Sequence, residues 1–399
     1  MSQAFEGVRI IDFSQVLAAP FAVMQLALLG AEVIKVENPV GGDQTRGLMN
    51  TGVDHGMAPS FLGMNLNKKS LTVNLKSPEG VAIIKQLIKT ADVVVENFKA
   101  GTMEQLGLGY DVMQQWKPDL IFCSVTGYGQ TGPRAGEAAY DGAIQAASGM
   151  MSQNGHPSTG PTRTGYMPVD MATALNTAFA ISTALYRKLR TGLGQRIDVA
   201  MLDTAVVMQA AQFSNYLNQD TLVGLRGNAS PTGQPTANVF ETRDGNIQIT
   251  AIRQPQIEKL FAAMGLSERL NQPDFLTPEA RIKNSAEVHV VVAKAIKTRT
   301  TMEWIVDLAS RGIPVAEIKS VPEVCEDTSL RERGVFMTHK SPLDHGDDFT
   351  VVKAGYLLDQ DGPEVRSVPP LLGQHTAEIM ADLGYPDDEV QRLNAEGVC

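Results

Sequence analysis

The sequence has few cysteines and no long apolar run, and both absences narrow the choice of protein class. Its three cysteines, Cys123, Cys325 and Cys399, lie far apart, which argues against a disulfide-rich scaffold and a CxxC zinc motif. No apolar stretch approaches the roughly 20 residues that cross a bilayer. The first ten residues lack the basic-then-apolar pattern of a signal peptide. We therefore expect a reduced, cytoplasmic protein with no membrane partner.

Basic charge is also scarce. The chain carries 34 Lys and Arg against 44 Asp and Glu, giving a formal net charge of -10. Nucleic-acid binders normally show a basic excess or a basic stripe, so no nucleic-acid partner is expected. An anionic ligand would have to be held by locally clustered Lys and Arg.

Common cofactor motifs are missing as well. The turn after the first predicted strand, SQVLAAPF, has no glycine, whereas a nicotinamide-binding turn needs glycines so that the backbone can approach the pyrophosphate. The sequence has no GxxxxGK[ST] phosphate loop and no GxSxG turn, and its six histidines show no HxxxH spacing. The sequence therefore predicts neither a metal site nor a redox cofactor.

The first half of the chain has the pattern of an α/β protein. Short β-rich runs alternate with helical segments, and the runs are GVRIIDF, AEVIKVE, ADVVVENF and DLIFCSV. Such alternation is typical of βαβ units on a mostly parallel sheet that is covered on both faces. A long apolar helix is predicted from about Met171 to Leu189, followed by a strand, RIDVAML.

The pattern changes near Gly224. The loop GLRGNASPTGQP precedes a predicted hairpin, FETRDGNIQITAI, with Asp244 and Gly245 as its turn. Two helical segments follow, and at the C-terminus TAEIMADLG and DDEVQRLNAEG predict helices that return to the first domain. We therefore predict a large domain from 1–223 and 329–399 and a smaller α+β domain, with linkers, at 224–328.

Three polar loops follow predicted strands. They lie in NLNKKSLTVNLKSPEG, VENFKAG and TGYGQTGPRAG, and open α/β sheets bind ligands at strand ends of this kind. Their polar and aromatic residues are Lys68, Lys69, Lys76, Asn97, Phe98, Lys99 and Arg134. The loops could converge on one anionic, partly aromatic ligand. Solvated lysines in ordinary turns are the alternative.

Asp170 directly precedes an apolar helical run, MATALNTAFAISTALYRKL. Its ordinary interpretation is a helix N-cap, for which Asp is a preferred residue. It would also suit a nucleophile, because a helix N-terminus stabilises an ionised carboxylate. An Asp pKa of about 3.9 means that no partner base is required at neutral pH. The residue pattern alone leaves both roles open.

Taken together, the fragments resemble the class III CoA-transferases, also called the carnitine dehydratase/bile-acid-inducible or formyl-CoA transferase-like family. The matching fragments, in the family's order, are GVRIIDFSQVLAAPFAVMQLALLGAEVIKVENPVGGDQTR, NKKSLTVNLKSPEG, ADVVVENFKAGTMEQLGLGY, FCSVTGYGQTGP, YDGAIQAASG and RTGLGQRIDVAMLD. The resemblance implies a Rossmann-like large domain built from the N- and C-terminal segments, a smaller domain, and a homodimer of interlocked chains.

The resemblance also implies residue roles. It makes Asp170 the catalytic carboxylate and places a lid at Gly233, Gln234 and Pro235. The implied CoA contacts are Gln15, Val16, Ala18, Leu75, Lys76, Asn97 and Phe98, with Lys99, Arg46 and Arg134 as further candidates for the phosphates. Asn38 and Gln105 stand where relatives carry Arg. Leu17 replaces a Gln near the acyl site, so oxalate is not the favoured acceptor.

The implied activity is transfer of CoA from an acyl-CoA to a carboxylic acid, with CoA as co-substrate. The alternative on the same fold is a CoA-ester racemase, whose histidine would fall at Tyr140. A tyrosine, with a pKa of about 10, is a poor general base at neutral pH, which favours transfer. A non-catalytic CoA-binding protein is the alternative from another class.

Overall fold

A computed structural model describes residues 3–48, 57–343 and 347–399. In chain order its strands are β1 (Arg9–Asp12), β2 (Glu32–Glu37), β3 (Lys68–Thr72), β4 (Val93–Glu96), β5 (Ile121–Thr126), β6 (Gly155–His156), β7 (Gly160–Pro161), β8 (Gln195–Ala200), β9 (Ala237–Glu241), β10 (Asn246–Thr250), β11 (Val315–Glu317), β12 (Phe336–His339) and β13 (Phe349–Val352).

The helices follow the same numbering. They are α1 (Ala18–Leu28), α2 (Pro59–Leu62), α3 (Pro78–Ile88), α4 (Thr102–Gln105), α5 (Tyr110–Trp116), α6 (Asp141–Ala147), α7 (Met150–Gln153), α8 (Pro168–Thr191), α9 (Met201–Met208), α10 (Ala210–Gln219), α11 (Gln254–Ala263), α12 (Pro273–Leu276), α13 (Pro278–Lys283), α14 (Ser285–Ile296), α15 (Thr301–Ser310), α16 (Val321–Cys325), α17 (Thr328–Glu332), α18 (Thr376–Asp382) and α19 (Asp387–Ala395). None of the described helices combines the length and the apolar character needed to cross a bilayer.

The chain divides into two compact units. The first is formed by the described residues of 1–148, 164–210 and 328–399, and the second by 149–163 and 211–327. The second unit therefore begins earlier than the predicted boundary at residue 224 and includes a short additional segment. The domain limits 1–223, 224–328 and 329–399 remain a prediction.

The first unit is built on a parallel sheet, as the alternating pattern predicted. Its strand order is β3-β2-β1-β4-β5-β8, and every neighbouring pair is parallel. Doubly wound nucleotide-binding sheets run in the order 3-2-1-4-5-6, and they bind ligands outside the carboxyl ends of the strands where the order reverses. Here the reversal lies between β1 and β4.

Alternate residues of each strand point into two apolar layers, one on each face of this sheet. Ile11 and Val94 belong to one layer, whereas Ile10 and Val95 belong to the other. Helices α18 and α19 contribute Ile379, Met380, Val390 and Leu393 to the first layer. The C-terminal helices therefore pack in the first unit, and α1 and α8 cover the second face through residues such as Val23 and Ile181.

The second unit contains the predicted hairpin. Strands β9 and β10 pair antiparallel, and the backbone N–H of Thr242 donates to Gly245 O at 2.9 Å across the turn. Strand β11 adds a third antiparallel strand. A core centred on Trp304, Phe240 and Phe261 packs between this sheet and the surrounding helices.

Two predicted boundaries were wrong. Helix α8 begins at Pro168, not at Met171, because a proline has a suitable φ for the first helical position and no N–H to leave unpaired there. Strand β8 ends at Ala200, and Met201 and Leu202, which were predicted to continue it, begin helix α9.

Candidate active site

The loops after β1 and β4 are joined by a two-way hydrogen bond at the point where the strand order reverses. The backbone N–H of Gln15 donates to Asn97 Oδ1 at 2.8 Å, and Asn97 Nδ2 donates to Gln15 O at 2.7 Å. Next to Asn97, the N–H of Phe98 donates to Glu96 Oε2 at 2.8 Å, and burial raises the pKa of Glu96 to about 7. The structure thus brings together Gln15 and Asn97, two of the predicted CoA contacts.

Val16 has an uncommon backbone conformation within this loop. Its φ is +70°, a left-handed value that is a clear outlier for a β-branched residue. Its N–H donates to Asp43 Oδ1 at 3.2 Å. Backbone strain of this kind persists only where surrounding contacts enforce it, and it is concentrated at functional sites. Val16 is followed by half-buried Leu17 and buried Ala18, the first residue of α1.

Two buried ion pairs lie beneath the β1 loop. Lys68 Nζ is 2.9 Å from Asp12 Oδ2, Lys35 Nζ is 2.9 Å from Asp43 Oδ2, and all four side chains are inaccessible to solvent. The Lys35 ammonium also donates to the carbonyl oxygen of Ser14 at 2.6 Å. The hypothesis that Lys68 takes part in an anion-binding cluster was therefore wrong, because its charge is neutralised inside the protein.

Arg46 is also unsuitable as a phosphate ligand. Its Nε and Nη2 atoms lie 2.8 and 2.7 Å from the two carboxylate oxygens of Glu37, and its guanidinium stacks 3.8 Å from the Phe61 ring centroid. The residue is only 3% exposed. A bidentate, buried pair of this type is a structural contact. Lys69 likewise binds elsewhere, to Glu378 of α18 at 2.8 Å.

Other predicted cations lie on the surface at the carboxyl ends of the strands. Lys76 is exposed after β3, beside Leu75, which packs on the apolar core. Lys99 is exposed after β4 and lies against the loop that carries Arg134. Its Cε atom is so close to Gly136 that a Cβ at that glycine would be only 3.3 Å away. The Arg134 guanidinium stacks 3.7 Å from the centroid of the Tyr128 ring and pairs with Glu137 at 3.0 Å.

Asp170 is not an N-cap. It is the third residue of α8, whose N-cap position is occupied by Met167 without a side-chain hydrogen bond. The Asp170 side chain is partly buried, and its oxygens accept no hydrogen bond from the described residues. The cap is instead supplied by Asp141 of α6, whose Oδ2 accepts the N–H groups of Val169 and Asp170 at 2.8 and 3.1 Å.

The expectation that Asp170 has an ordinary pKa was also wrong. Burial first, and the neighbouring charge of Asp141 second, raise the pKa of Asp170 to about 6. Both effects oppose ionisation, since burial removes water and a like charge repels the carboxylate. Asp170 is still largely ionised at neutral pH, and it is more basic than an exposed aspartate. Raised carboxyl pKa values are concentrated at functional sites.

The remaining predicted residues lie in two places. Tyr140 precedes α6 and is 69% exposed. The lid residues belong to the second unit, where Gly233 has a φ of +75° and buried Gln234 donates from Nε2 to Pro278 O at 3.2 Å. Among the described residues, no group of three or more His, Cys, Asp or Glu side chains could hold a metal ion.

Sequence reasoning missed Asp43 and Asp141, which hold Val16 and the start of α8. A weak indication existed for Asp141, because it opens the helical segment DGAIQAA after a loop. Its contact with a distant helix, α8, could not be found in the local pattern.

Comparison with known proteins identifies the family. A sequence model described as CoA-transferase family III matches residues 5–376. The chain belongs to CoA-transferase family III. It is 36% identical to the succinyl-CoA:glutarate CoA-transferase of Mus musculus, over 98% of this chain and 89% of that protein. It is 33% identical to a formyl-CoA:oxalate CoA-transferase of Rhodopseudomonas palustris, over 100% of this chain and 97% of that protein.

A solved structure of this family has the same fold. The CAIB/BAIF family protein from Brucella suis superposes with a TM-score of 0.86 and 31% identity, covering 96% of this chain and 100% of that chain. The predicted family and the mixed α/β fold with a parallel central sheet are therefore confirmed. The protein is an enzyme of the CoA-transferase class, and the family comparisons do not favour the racemase alternative.

Proposed function

We propose that the enzyme moves CoA between two carboxylic acids and that Asp170 is the nucleophile. The observation that carries the proposal is the state of this carboxylate. It lies in the first turn of α8, it accepts no hydrogen bond from the described residues, and its pKa is raised to about 6. Such a group is mostly ionised at neutral pH and retains the basicity that a carboxylate nucleophile needs.

CoA is proposed to bind at the carboxyl edge of the parallel sheet. Support comes from the loop at Val16, whose backbone is strained and whose N–H is hydrogen-bonded to Asp43. The loop lies where sheets of this strand order bind ligands. The exposed Lys76 and Lys99 and the partly exposed Arg134 would attract the phosphates. The remaining proposed contacts are Gln15, Ala18, Leu75, Asn97 and Phe98.

The proposed reaction begins with covalent transfer to the enzyme. A carboxylate oxygen of Asp170 attacks the thioester carbonyl, the carbon–sulfur bond breaks, and CoA leaves as the thiolate. The product is a mixed anhydride between the acyl group and Asp170. The thiolate then attacks the aspartyl carbonyl, which releases the donor acid and leaves a thioester between Asp170 and CoA. Dividing one difficult exchange into two steps is the general advantage of covalent catalysis.

The acceptor acid reverses these two steps. Its carboxylate attacks the aspartyl carbonyl and displaces CoA thiolate, forming a second anhydride. The thiolate then attacks the acceptor's acyl carbonyl, giving the new acyl-CoA and restoring Asp170. Backbone N–H groups would stabilise the oxyanion in each step. On the basis of the family resemblance, Leu17 and Tyr140 are proposed to lie beside the acyl group. The same resemblance makes Gly233 and Gln234 a proposed lid that limits hydrolysis.

The proposed substrates are small dicarboxylic acids and their CoA esters. Support comes from the relative named succinyl-CoA:glutarate CoA-transferase, at 36% identity. The formyl-CoA:oxalate relative is also similar, but Leu17 stands where oxalate-using members have a polar Gln. We expect succinyl-CoA with glutarate to be turned over faster than formyl-CoA with oxalate. The reaction is proposed to take place in the cytoplasm.

The test of the nucleophile follows oxygen atoms. In the proposed sequence, the donor acid leaves with an oxygen of Asp170, and the acceptor acid replaces that oxygen. Acceptor labelled with oxygen-18 should therefore pass label to the donor acid released in the next turnover. Hydroxylamine added during turnover should convert Asp170 to its hydroxamate, which peptide mass spectrometry detects.

Asp203→Asn is the matched control, because Asp203 is the third residue of α9 just as Asp170 is the third residue of α8. Asp170→Asn should lose turnover and labelling, whereas Asp203→Asn should keep both. Transfer of the oxygen-18 label by the Asp170→Asn variant, or formation of the hydroxamate on another residue, would show that Asp170 is not the nucleophile. Deuterium incorporation at the α-carbon without CoA transfer would indicate racemase chemistry instead.

We also propose that the enzyme is a homodimer of interlocked chains. The support on this chain is an apolar face of α8, on which Leu175, Phe179, Tyr186 and Leu189 are exposed, Phe179 by 72% and Leu189 by 85%. These positions share one side of the helix. Exposed apolar patches of this kind commonly mark protein–protein contacts.

Light scattering should give the mass of a dimer, and Phe179→Asp should lower the yield of folded dimer. Val290→Asp, at an exposed valine of α14, is the control and should leave the mass unchanged. Interlocked chains cannot separate without unfolding, so differently tagged dimers should not exchange subunits under native conditions. A monomeric mass would contradict dimerisation, and rapid exchange would contradict interlocking.

A further inference from the structure

Asp141 of α6 is fixed through both carboxylate oxygens. Its Oδ2 accepts the N–H groups of Val169 and Asp170, and its Oδ1 accepts a hydrogen bond from Gln145 Nε2 at 2.5 Å. Gln145 is itself held, because its Oε1 accepts the N–H of Thr164 at 3.1 Å. Asp141 is 6% exposed and Gln145 is fully buried, so this carboxylate has one defined position.

These contacts replace the usual helix cap. The first N–H groups of a helix have no partner within the helix, and a side chain at the N-cap normally accepts one of them. Met167 at the N-cap of α8 has no such acceptor. An acid in the first turn would otherwise be attracted to these N–H groups. Because Asp141 occupies them from another helix, the carboxylate of Asp170 is not engaged in capping its own helix.

Asp141 also places a negative charge beside Asp170. Helix α1, which packs along α8, has no charged residue. The titratable residues of the other elements most extensively packed against α8 are Asp141 on α6, Asp203 on α9, Cys123 on β5, and Arg196 and Asp198 on β8. Strand β13, which also packs on α8, has none. Among the described residues, the charge that raises the pKa of Asp170 is that of Asp141, and it acts in the same direction as burial does.

We propose that Asp141 is a positioning residue for the nucleophile: it caps α8 so that the oxygens of Asp170 stay free, and its fixed charge keeps that carboxylate basic. The inference rests on the proposed function, in which Asp170 attacks the thioester. It assigns two separable effects to Asp141, a hydrogen-bonding effect on the helix start and an electrostatic effect on the attacking oxygen.

Two variants separate these effects. Asp141→Asn removes the charge, but its NH2 group then faces the NH2 group of Gln145. The double variant Asp141→Asn/Gln145→Glu restores a donor–acceptor pair between the two side chains. Its new amide at position 141 can accept from the helix and donate to the new carboxylate at position 145, which can still accept from Thr164. The double variant thus retains the cap and moves the negative charge away from Asp170.

The measurement is the pH dependence of kcat/KM on the acidic side, together with hydroxylamine trapping at residue 170. In the wild type we expect activity to fall as Asp170 is protonated below about pH 6. In both variants the acidic limb should move to lower pH by about 1 unit, and kcat at neutral pH should fall on the order of tenfold, with KM for acyl-CoA changed less. The double variant should have the higher thermal stability of the two. Asp203→Asn should keep the wild-type limb.

An acidic limb that stays in place in the double variant would overturn the inference, because a purely structural role changes stability without moving that limb. If Asp141→Asn does not fold, the double variant alone decides the electrostatic part. Absence of any adduct at residue 170 in the wild type, with Asp170→Asn still active, would instead contradict the proposed nucleophile, and the role of Asp141 would be rejected with it.

Discussion

The side-chain amide of Asn97 binds both backbone groups of Gln15, across the two strands between which the sheet reverses its order. One amide therefore fixes the distance between the β1 and β4 loops. Since predicted CoA contacts lie on both loops, this pair would set the width of the proposed CoA site.

Replacing Asn97 by Ala should loosen that site. Two hydrogen bonds are lost and the backbone groups of Gln15 lose their partners, so the free energy of unfolding should fall by about 1–3 kcal/mol. KM for acyl-CoA should rise by a larger factor than kcat falls, because the substitution alters the proposed contacts to CoA and not those to the reacting acyl group. Urea denaturation and steady-state kinetics measure both effects. Asn271→Ala removes an exposed bond to Glu268 and should change neither; equal effects from the two variants would contradict the role of Asn97.

Val16→Gly should be tolerated far better than an ordinary valine-to-glycine change. Glycine adopts a φ of +70° without steric cost, and this gain offsets its greater freedom in the unfolded chain. We expect the free energy of unfolding to stay within about 1 kcal/mol of the wild type, while kcat/KM falls because the loop is less rigid. Val239→Gly, in the regular strand β9, is the comparison and should cost about 1–2 kcal/mol. Equal losses at both positions would argue against strain at Val16.

Asp170→Asn should stabilise the protein above pH 6. The pKa of Asp170 is raised in the folded state to about 6, whereas it is about 3.9 in the unfolded chain. The folded protein therefore has its full stability below the unfolded-state pKa and loses the contribution of Asp170 as the pH rises through 6. An uncharged Asn avoids this loss. The variant should gain about 1–2 kcal/mol at pH 7.5, and the gain should shrink as the pH falls to about 4. Denaturant melts at several pH values test this, and Asp203→Asn should show no such trend. A variant less stable than the wild type at pH 7.5 would contradict the prediction.

Replacement by Ala should lower stability at Arg46, whereas at Lys99 it should weaken acyl-CoA binding. Removing Arg46 leaves the carboxylate of Glu37 buried without its bidentate partner, which should cost about 3–5 kcal/mol of unfolding free energy. Lys99 is exposed, so its loss should leave stability within about 0.5 kcal/mol. It should raise KM for acyl-CoA severalfold and weaken the salt dependence of KM. Lys89→Ala, at another exposed lysine, is the control, and an unchanged KM in Lys99→Ala would exclude that lysine as a phosphate contact.

Local patterns were sufficient for much of the fold. The alternation of apolar runs placed β1, β2, β4 and β5 on a parallel sheet, and Asp244–Gly245 gave the hairpin of the second unit. These features depend on neighbouring residues, whose period and turn chemistry the sequence contains.

The misplaced residues depend on contacts between distant parts of the chain. Lys68 was grouped with surface lysines, but its partner Asp12 lies 56 positions away, and a buried ion pair has no local pattern. The local pattern offered a cap as one role for Asp170 because Pro168 was not recognised as the first helical residue, although proline at that position is a known preference. The actual cap, Asp141, comes from a different helix. Charge burial and capping from a distance were therefore beyond the local pattern.

The paired charges beneath the β1 loop have a consequence for engineering this enzyme. A library that varies Asp12, Lys35, Asp43 or Lys68 one at a time would mostly yield proteins that fail to fold, because each single change strands the opposite charge in a solvent-free interior. Simultaneous replacement of both members of a pair by apolar residues of similar volume avoids that penalty. Changes to the proposed CoA phosphate contacts are therefore better tolerated at exposed positions such as Lys76 and Lys99, with the supporting pairs left intact.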